Sequence, residues 1–403
     1  MALLPVADAL ALVLADVAPL PAEAAALVDA CGRVLAGDLE ARRTQPPADV
    51  SAMDGYAVRA ADVVSAPVHL AVVGEVAAGH PLDREIGPGE AARIFTGGVM
   101  PRGTDTVVIQ EVAMRKGDVV AIERPETKGR YVRPEGFDFK AGATLLAKGH
   151  RLTTRDTALA AAMNHATVPV HRRPRMAVLA TGDELVAPGT PPAPSQIVSS
   201  NSVALIAIGN RESAETLDLG VAPDRLEATV AAVRRARAAG ADVLVTSGGA
   251  SVGDHDLVHQ AFASEGMALS FWKIAMQPGK PLMHGRLGGM SVLGLPGNPV
   301  SSFVCAAVFL VPLLRKLSGR NDMSLPTAPA VLGRALPANG RRAEYMRAML
   351  AAAPDGTLVA TPFASQDSSL LVTLSRADCL VIREPFAPAA EPGAPCDILD
   401  LQF

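Results

Sequence analysis

The stretch ADVLVTSGGASVGDHD, residues 241–256, decides how the chain should fold. Its apolar, β-branched first part is typical of a short buried strand in a parallel sheet. The strand opens into residues 246–251, where two adjacent glycines can turn backbone N–H groups toward one point and three hydroxyl groups add donors. We therefore predict a cradle for an oxyanion at the carboxyl end of this strand, the edge at which open α/β sheets bind ligands.

The acids that follow this cradle suggest a metal ion. The stretch is neither a P-loop nor a dinucleotide fingerprint, because both the Gly-Lys-Ser/Thr and the GxGxxG patterns are absent. Asp254 and Asp256 would repel a bare anion, but they are well placed if a divalent cation lies between them and the anion. By itself the stretch is equally compatible with an ordinary strand–helix turn beside solvated acids.

Composition limits the possible classes of protein. The chain has 403 residues, 49% of them hydrophobic, which predicts about two to four domains with packed cores. The net charge of −4 argues against a nucleic-acid-binding protein. Four scattered cysteines without a CxxC pair favour reduced thiols. The apolar start carries Asp8 and Asp16, so we expect an amphipathic helix rather than a signal peptide, no membrane-spanning run, and a cytoplasmic protein.

The hydrophobic pattern changes along the chain. Residues 5–38 show two helical patterns separated by prolines, residues 41–140 short β-type runs, and residues 152–163 a helix. From residue 176 strands and helices alternate, which predicts a doubly wound parallel sheet. Beyond residue 318 the pattern is again of the β type. The predicted strands are 68–73, 91–94, 106–109, 119–122, 176–180, 214–219, 243–246 and 291–295, and the predicted helices of the α/β part are 201–208, 225–239, 255–264 and 300–317.

Polar clusters follow several of the predicted strands. Thr181-Gly182-Asp183-Glu184 follows one strand and Pro296-Gly297-Asn298-Pro299 another. Asn298 is a suitable N-cap and Pro299 a suitable first residue for the next helix, whose free N–H groups would offer a second anion site. A well-capped helix without a ligand explains this turn equally well. Lys273 and Lys280 flank a loop with fixed Pro-Gly geometry and could bind phosphate or another oxyanion.

The β region contributes three further polar turns, centred on Asp54, on Thr96-Gly97-Gly98 and on Asp138. Ordinary turn chemistry explains each of them singly. In combination and in this order, however, the motifs of the whole chain resemble those of the molybdopterin molybdenumtransferase family, bacterial enzymes related to the E domain of gephyrin. The matching stretches are SAMDGYAV (51–58), RIFTGGVMPRGTDTVVIQE (93–111), RPEGFDFKAGATLLAKG (133–149), AVLATGDELV (177–186), DVLVTSGGASVGDHD (242–256), FWKIAMQPGKP (271–281), LGLPGNPVSS (293–302) and, more weakly, RRAEYMR (341–347).

The resemblance implies a four-domain architecture. It consists of a helical dimerisation segment (1–40 and 140–170), an inserted β domain (41–139), an α/β molybdopterin-binding domain (171–318) and a C-terminal β-barrel-like domain (319–403). It also implies a homodimer in which each active site lies between the α/β domain of one subunit and the β domain of the other. That arrangement would explain why Asp54 and Asp138 are so far in sequence from the cradle.

The resemblance also implies a reaction. Such enzymes insert molybdate into adenylated molybdopterin and release AMP in a step that depends on Mg²⁺. Opening a phosphoanhydride requires charge neutralisation on the leaving phosphate, and molybdate is a tetrahedral dianion that needs N–H, hydroxyl and cationic donors. Expected partners are the pterin nucleotide substrate, the molybdopterin adenylyltransferase and the acceptor molybdoenzymes.

The family's functional residues transfer to this chain motif by motif. The catalytic residues implied are Asp54, Asp138, Glu184, Asp256 and Lys273, and Glu184 and Asp256 would hold the metal. The substrate-binding residues implied are Thr96, Ser247, Gly248, Gly249, Ser251, Lys280, Pro296, Asn298, Pro299, Arg342 and Ser369. One departure stands out, because many members carry a lysine where this chain has Gln277; Lys273 and Arg342 are candidates to replace its charge.

Two other functions remain open at this stage. A molybdopterin adenylyltransferase has a similar α/β domain, but it needs neither the SAMDGYAV turn nor a C-terminal domain. A non-catalytic, dimeric molybdopterin-binding or scaffold protein would not require the full set of acids and lysines.

Overall fold

The structure is a computed structural model that describes residues 3–248 and 257–401. The first part of the chain contains two helices and many short strands. In chain order these are α1 (Val6–Leu14), β1 (Ala22–Ala26), β2 (Leu39–Glu40), β3 (Val50–Ser51), β4 (Gly55–Val58), β5 (Val68–Val76), β6 (Glu90–Ile94), β7 (Thr106–Ile109), β8 (Ala113–Lys116), β9 (Val119–Ile122), β10 (Val132–Arg133), β11 (Thr144–Leu146), α2 (Thr154–Ala162) and β12 (Thr167–His171).

The β region folds as its sequence pattern predicts. All its predicted strands are present, and they belong to a six-stranded sheet of order β7-β4-β6-β5-β9-β8. Inward-facing apolar residues such as Leu70, Val108 and Ile122 are fully buried between the strands. The short pair β3–β10 brings Ser51 opposite Val132. This pairing joins the segment just before the Asp54 turn to the segment that leads toward Asp138.

The second helical pattern predicted within residues 5–38 is wrong. Residues 22–26 form strand β1, which pairs antiparallel with β12, and β2 pairs with β11. An alanine-rich segment has little preference between faces, so backbone pairing with a distant strand outweighs its helix propensity. The predicted helix at 152–163 is present as α2, whose capping box joins Thr153 and Asp156. The segment predicted to be helical, residues 1–40 and 140–170, therefore contains paired strands as well as the helices α1 and α2.

The central part of the chain forms the α/β sheet. Its elements are β13 (Arg175–Thr181), β14 (Leu185–Val186), β15 (Ile197–Val198), α3 (Ser200–Arg211), β16 (Glu215–Ala222), α4 (Leu226–Ala238), β17 (Val243–Ser247), α5 (Leu257–Ser264), β18 (Ala268–Lys273), β19 (Met276–Gln277), β20 (Pro281–Leu287), β21 (Met290–Leu295), α6 (Pro299–Cys305) and α7 (Val311–Leu317).

The predicted parallel sheet is confirmed, with an addition. The strand order is β16-β13-β17-β21-β20-β18, and the first four strands run parallel. Strands β20 and β18 extend the sheet through two antiparallel pairings, so that β20 alone runs opposite to the other strands; the sequence analysis missed this extension. Antiparallel edge strands are common on parallel sheets. They carry the loop between Lys273 and Lys280.

The predicted helix 300–317 is nearly continuous, with the π-helical turn Ala306–Leu310 between α6 and α7. The stretch Pro299–Leu317 has a mean hydropathy of 1.8, so by length and composition it could cross a membrane, contrary to the expectation that no run was long enough. It is, however, 89% buried within the protein. Helix α1 packs against its second half, so this is a core helix of the fold.

The last part of the chain closes into a small barrel. Its elements are β22 (Thr327–Leu332), β23 (Ala343–Ala352), β24 (Leu358–Pro362), α8 (Leu371–Ser375), β25 (Cys379–Arg383) and β26 (Pro395–Asp400). The strand order is β23-β24-β22-β26-β25, and a further pairing of β23 with β25 closes the ring. Strand β19 joins the outside of this ring through β23. The barrel is thus tied directly to the loop between Lys273 and Lys280.

Candidate active site

Three predicted clusters meet at the carboxyl edge of the α/β sheet. Strand β17 lies between β13 and β21, with Ser247 opposite both Ala180 and Leu295. The chain segments that follow these strands therefore leave the sheet side by side. These segments begin with Thr181, Gly248 and Pro296, so the predicted residues Glu184, Ser247, Gly248, Pro296, Asn298 and Pro299 lie along one edge.

Gly248 allows the backbone at the end of β17 to lie close to the backbone of Thr181. Its φ of +94° lies in a region that favours glycine, and a Cβ atom there would lie 2.5 Å from the carbonyl oxygen of Thr181. Ser247, immediately before it, is buried with 2% exposure. Gly249, Ser251 and Asp256, which were predicted to complete the cradle and the metal site, lie outside the described residues.

Asn201 is a site residue that the sequence analysis missed. Its Nδ2 donates hydrogen bonds to Ser247 Oγ at 2.7 Å and to Gly297 O at 2.8 Å. The side chain therefore joins the loops that follow β17 and β21. Its position in the first turn of α3, directly after a strand of the α/β unit, was the signal that could have identified it.

Glu184 is exposed, and its carboxylate folds back over the chain. A Cβ atom on Gly182 would lie 2.4 Å from Glu184 Oε2, which shows how close the carboxylate lies to the backbone of Gly182. The neighbouring Asp183 accepts a hydrogen bond from Asp224 N at 3.0 Å. Within residues 3–248 and 257–401, no group of three or more His, Cys, Asp or Glu side chains is arranged to bind a metal. The predicted pairing of Glu184 with Asp256 stays a prediction.

The turn at 296–299 meets the C-terminal barrel. Asn298 occupies the N-cap position of α6, and Pro299 begins the helix as predicted. The expected side-chain cap is wrong, because Asn298 Nδ2 instead donates to Ser368 Oγ at 2.8 Å. Val300 N donates to Ser368 O at 3.0 Å, so this end of the helix is partly covered rather than free for an anion.

Ser369 lies beside this contact, in a loop fixed by buried groups. Its backbone N and its Oγ both donate to Asp367 Oδ1, at 2.8 and 2.7 Å. These bonds hold the pKa of the Asp367 carboxyl below its usual value. Arg347, with 1% exposure, donates to the carbonyl oxygens of Asp367 and Leu370 at 3.0 and 3.2 Å. The barrel therefore presents Ser369 at the edge of the α/β sheet.

A polar pocket of about 310 Å³ lies where the loop 274–280 meets the barrel. Lys280, Arg341 and Arg342 line it, together with Gln277 and Glu344. Arg342 Nη2 donates a hydrogen bond to Gln277 Oε1. Lys273 is exposed at the end of β18, where its strand pairs with Pro281. Lys280 and Arg342, remote in sequence, are thus brought together.

The predicted residues of the β domain form a second group. Asp54 Oδ1 accepts hydrogen bonds from Thr96 N and Thr96 Oγ1, both at 2.8 Å. The Thr96 backbone N–H first, and then its hydroxyl, lower the pKa of the Asp54 carboxyl below its usual value. Asp138 lines a cavity of about 510 Å³ with Gly97, Arg133 and Phe137. Arg133 and Phe137 were not among the predicted site residues.

The two groups belong to different parts of the chain. The hydrogen bonds of Asp54 reach Thr96 and Gln110, and that of the Asp138 backbone reaches Gln45. All of these contacts stay inside the β domain. By contrast, Asn201 hydrogen-bonds Ser247 and Gly297 within the α/β unit, and Asn298 hydrogen-bonds Ser368 of the last part of the chain.

Comparison with known proteins covers almost the whole chain. Residues 4–164 match the MoeA N-terminal region (domain I and II), residues 177–316 the "Probable molybdopterin binding domain", and residues 329–401 the MoeA C-terminal region (domain IV). A crystal structure of a molybdopterin biosynthesis MoeA protein from Pyrococcus horikoshii superposes with a TM-score of 0.84 at 31% identity, covering 100% of both chains.

Curated relatives give the same result. Molybdopterin molybdenumtransferase from Nostoc sp. is 41% identical over 295 residues, 72% of this chain and 67% of the relative. Molybdopterin molybdenumtransferase 2 from Mycobacterium tuberculosis is 39% identical over 333 residues, 80% and 82% of the two chains. The fold and these matches define a transferase of molybdenum cofactor biosynthesis. Within that class, the chain belongs to the molybdopterin molybdenumtransferase family.

Proposed function

We propose that the chain inserts molybdate into adenylated molybdopterin with release of AMP, at the sheet edge described above. The observation that carries this proposal is the meeting of Lys280 and Arg342 in one pocket between the α/β sheet and the barrel. These residues are remote in sequence, and a cationic pocket at this edge suits an oxyanion substrate. Ser247 and Gly248 lie at the end of the neighbouring strand β17, on the side where the pterin nucleotide would bind.

Molybdate recognition requires fixed donors around a tetrahedral dianion. Lys280 supplies a compact charge and Arg342 a planar fork of N–H groups. Ser369, in a loop held by Asp367 and Arg347, is the proposed third donor. These three side chains come from two different domains, so the proposed site exists only when the barrel is docked on the sheet.

Carboxylates are proposed to hold Mg²⁺ beside the phosphates. Glu184 offers hard oxygen ligands of the kind that Mg²⁺ prefers, and its exposed carboxylate lies at the correct edge of the sheet. Asp256 is the proposed second ligand. When bound, the ion would neutralise charge on the leaving phosphate. The chain's own contribution is to orient the nucleotide through the cradle and to keep Lys273 and Lys280 near the reacting groups.

The proposal includes a homodimer with shared sites. Asp54, Thr96 and Asp138 would reach the sheet edge of the partner subunit, since their hydrogen bonds within one subunit do not leave the β domain. Asp54 is kept ionised by Thr96, which suits it to act on a substrate rather than to stabilise its own fold. We propose that the enzyme works in the cytoplasm, receives its pterin nucleotide from the adenylyltransferase and delivers the product to acceptor molybdoenzymes.

A turnover assay with adenylated molybdopterin, molybdate and Mg²⁺ tests this function. We expect AMP release and molybdenum insertion by the wild-type chain. We expect Asp256→Asn to retain the circular dichroism spectrum and thermal melting of the wild type and to lose insertion. Unchanged turnover in that variant would refute the role of Asp256.

The same assay separates the alternatives. Consumption of ATP with formation of the adenylated pterin would identify a molybdopterin adenylyltransferase. Tight pterin binding without any turnover would identify a binding or scaffold protein.

A further inference from the structure

We propose that Gln277 is a positioning residue that holds the Arg342 guanidinium in the oxyanion pocket, and that Arg341 supplies a third cation there. The pocket would then bind a tetrahedral dianion without a lysine at position 277. This inference rests on the proposed function of the same pocket and adds two residues to it.

The backbone places Gln277 and Arg342 in fixed relation. Strand β19 pairs parallel with β23, so that Met276 is opposite Ala343 and Gln277 is opposite Glu344. Ala343 N also donates to Ala275 O at 2.9 Å. The hydrogen bond from Arg342 to Gln277 Oε1 therefore forms across two adjacent strands whose register cannot slip without breaking the sheet.

Hydrogen bonds also fix the turn that precedes β23. Asn339 Nδ2 donates to the carbonyl oxygens of Arg342, Arg383 and Glu384 at 2.9, 3.1 and 2.8 Å. A single side chain thus fixes the backbone from which Arg341 and Arg342 project. On the other side of the pocket, Lys280 O accepts a hydrogen bond from Ile274 N at 3.1 Å. The pocket walls are rigid, so side-chain orientation decides where the charges lie.

The net charge of the residues that line the pocket is equal and opposite to the charge of the proposed ligand. Lys280, Arg341 and Arg342 contribute three positive charges and Glu344 one negative charge, which leaves a net charge of about +2 against a dianion. A lysine at 277 would add a charge but would repel Arg342. A glutamine instead accepts from the guanidinium and leaves its remaining N–H groups directed at the ligand.

A double-mutant cycle on molybdate binding tests the positioning role. Isothermal titration of the full chain with sodium molybdate would compare the wild type, Gln277→Ala, Arg342→Ala and the double variant. We expect Gln277→Ala to weaken binding about fivefold, the scale of one typical net hydrogen bond, because the arginine itself remains. In the Arg342→Ala background, Gln277→Ala should not weaken molybdate binding further, because the guanidinium that Gln277 positions is absent. Thermal melting should not change, since both side chains are at the surface.

The dependence of molybdate affinity on ionic strength tests the role of Arg341. We expect Arg341→Ala to bind molybdate about threefold more weakly at low ionic strength and to show a shallower salt dependence. Arg124→Ala, which removes an exposed arginine from the β domain, is the matched control and should bind like the wild type. An unchanged affinity and salt dependence in Arg341→Ala would overturn its assignment.

The outcomes distinguish this inference from the function on which it rests. If the wild type binds molybdate and Gln277→Ala binds equally well, or loses the same factor in both backgrounds, the positioning role is refuted and the proposed function stands. If the wild type binds no molybdate at all, the oxyanion site of the proposed function fails together with the inference. Coupling confined to the Gln277–Arg342 pair supports both.

Discussion

At the scale of single residues, the candidate site consists of side chains that are fixed by hydrogen bonds, few of which are fully buried. Asp54 lies at the surface, yet both donors of Thr96 are directed at the same oxygen. Asn201 and Asn298 each donate to a neighbouring loop. Such contacts preorganise a site at little cost in stability, because few of the groups are fully buried.

Replacement of Thr96 by valine should change the pH dependence of activity. Asp54 must be ionised to act as a base or a cation ligand, and its lowered pKa extends activity to lower pH. Loss of the Thr96 hydroxyl removes one of the two hydrogen bonds, so the pKa should rise and the acid limb of the pH–rate profile should move to higher pH. Thr190→Val, at an exposed loop position, is the control. An unmoved acid limb would mean that another group sets it.

Replacement of Gly248 by alanine should distort the cradle. The new Cβ would lie 2.5 Å from Thr181 O at a φ of +94°. Gly220→Ala is a close control, because Gly220 has a φ of +79° and no atom within 4 Å of such a Cβ. We expect the control to lose about 1 kcal/mol of unfolding free energy from backbone strain and Gly248→Ala to lose roughly 2 kcal/mol more. Urea unfolding measures the difference, and equal losses would contradict a tight contact.

At the scale of elements, the barrel contributes a rigid loop to the sheet edge. Arg347 projects from β23, is almost fully buried, and donates to carbonyl oxygens of the loop that carries Ser368 and Ser369. That loop contacts Asn298 and Val300 at the start of α6. A buried side chain of β23, on the face opposite to Met346 and Ala348 of the barrel core, thus sets the position of a loop beside the candidate site.

Replacement of Arg347 by methionine should weaken both the fold and the site. Methionine fills a similar volume but leaves partly buried carbonyl groups without their donor, which should cost roughly 1–3 kcal/mol of unfolding free energy. We also expect a raised KM for molybdate, because Ser369 would be less well placed. Arg376→Met, at an exposed position after α8, should be near neutral. A variant with wild-type stability and KM would show that the loop holds its position without Arg347.

At the scale of the molecule, charged side chains from different parts of the chain meet at the end of α3. Glu212, whose side chain is 1% exposed, accepts hydrogen bonds from Arg315 and Arg320 at 2.8–3.0 Å. Arg151, from the unit that contains α2, donates to the carbonyl of Arg211 at 2.6 Å. The hydrogen bond of Arg151 fixes the unit that contains α2 to the α/β unit close to the end of α3. A defined orientation of the two is what the proposed site between subunits would require.

Mixed dimers should reveal whether the sites are shared. Asp54→Asn and Asp256→Asn would each be inactive alone under the proposed function. If each site takes Asp54 from one subunit and Asp256 from the other, half of the sites in a mixed dimer are intact, and statistical mixing should restore about a quarter of wild-type activity. Co-expression with two affinity tags isolates the mixed species, which should then have about half of the wild-type activity. No recovered activity in mixed dimers would place both acids of a site in one subunit.

Much of this architecture can be predicted from the local pattern of apolar and polar residues in the sequence. Alternation of strands and helices after residue 176 predicts the parallel sheet, because periodicity of buried positions is a property of neighbouring residues. The polar residues after each strand could be placed at one edge for the same reason. The strand β1 could not be recognised, since its pairing with β12 depends on a partner about 145 residues away.

What the sequence alone determined is the class of fold, the family and the set of polar motifs, all of which depend on residue order. Only the tertiary structure decided that Arg342 meets Gln277 and Lys280, that Asn298 binds Ser368 rather than capping its own helix, and that Asn201 joins two loops. Each of these is a contact between segments remote in the chain. Such contacts depend on how whole domains pack, and no local pattern of residues encodes the partner of a given side chain.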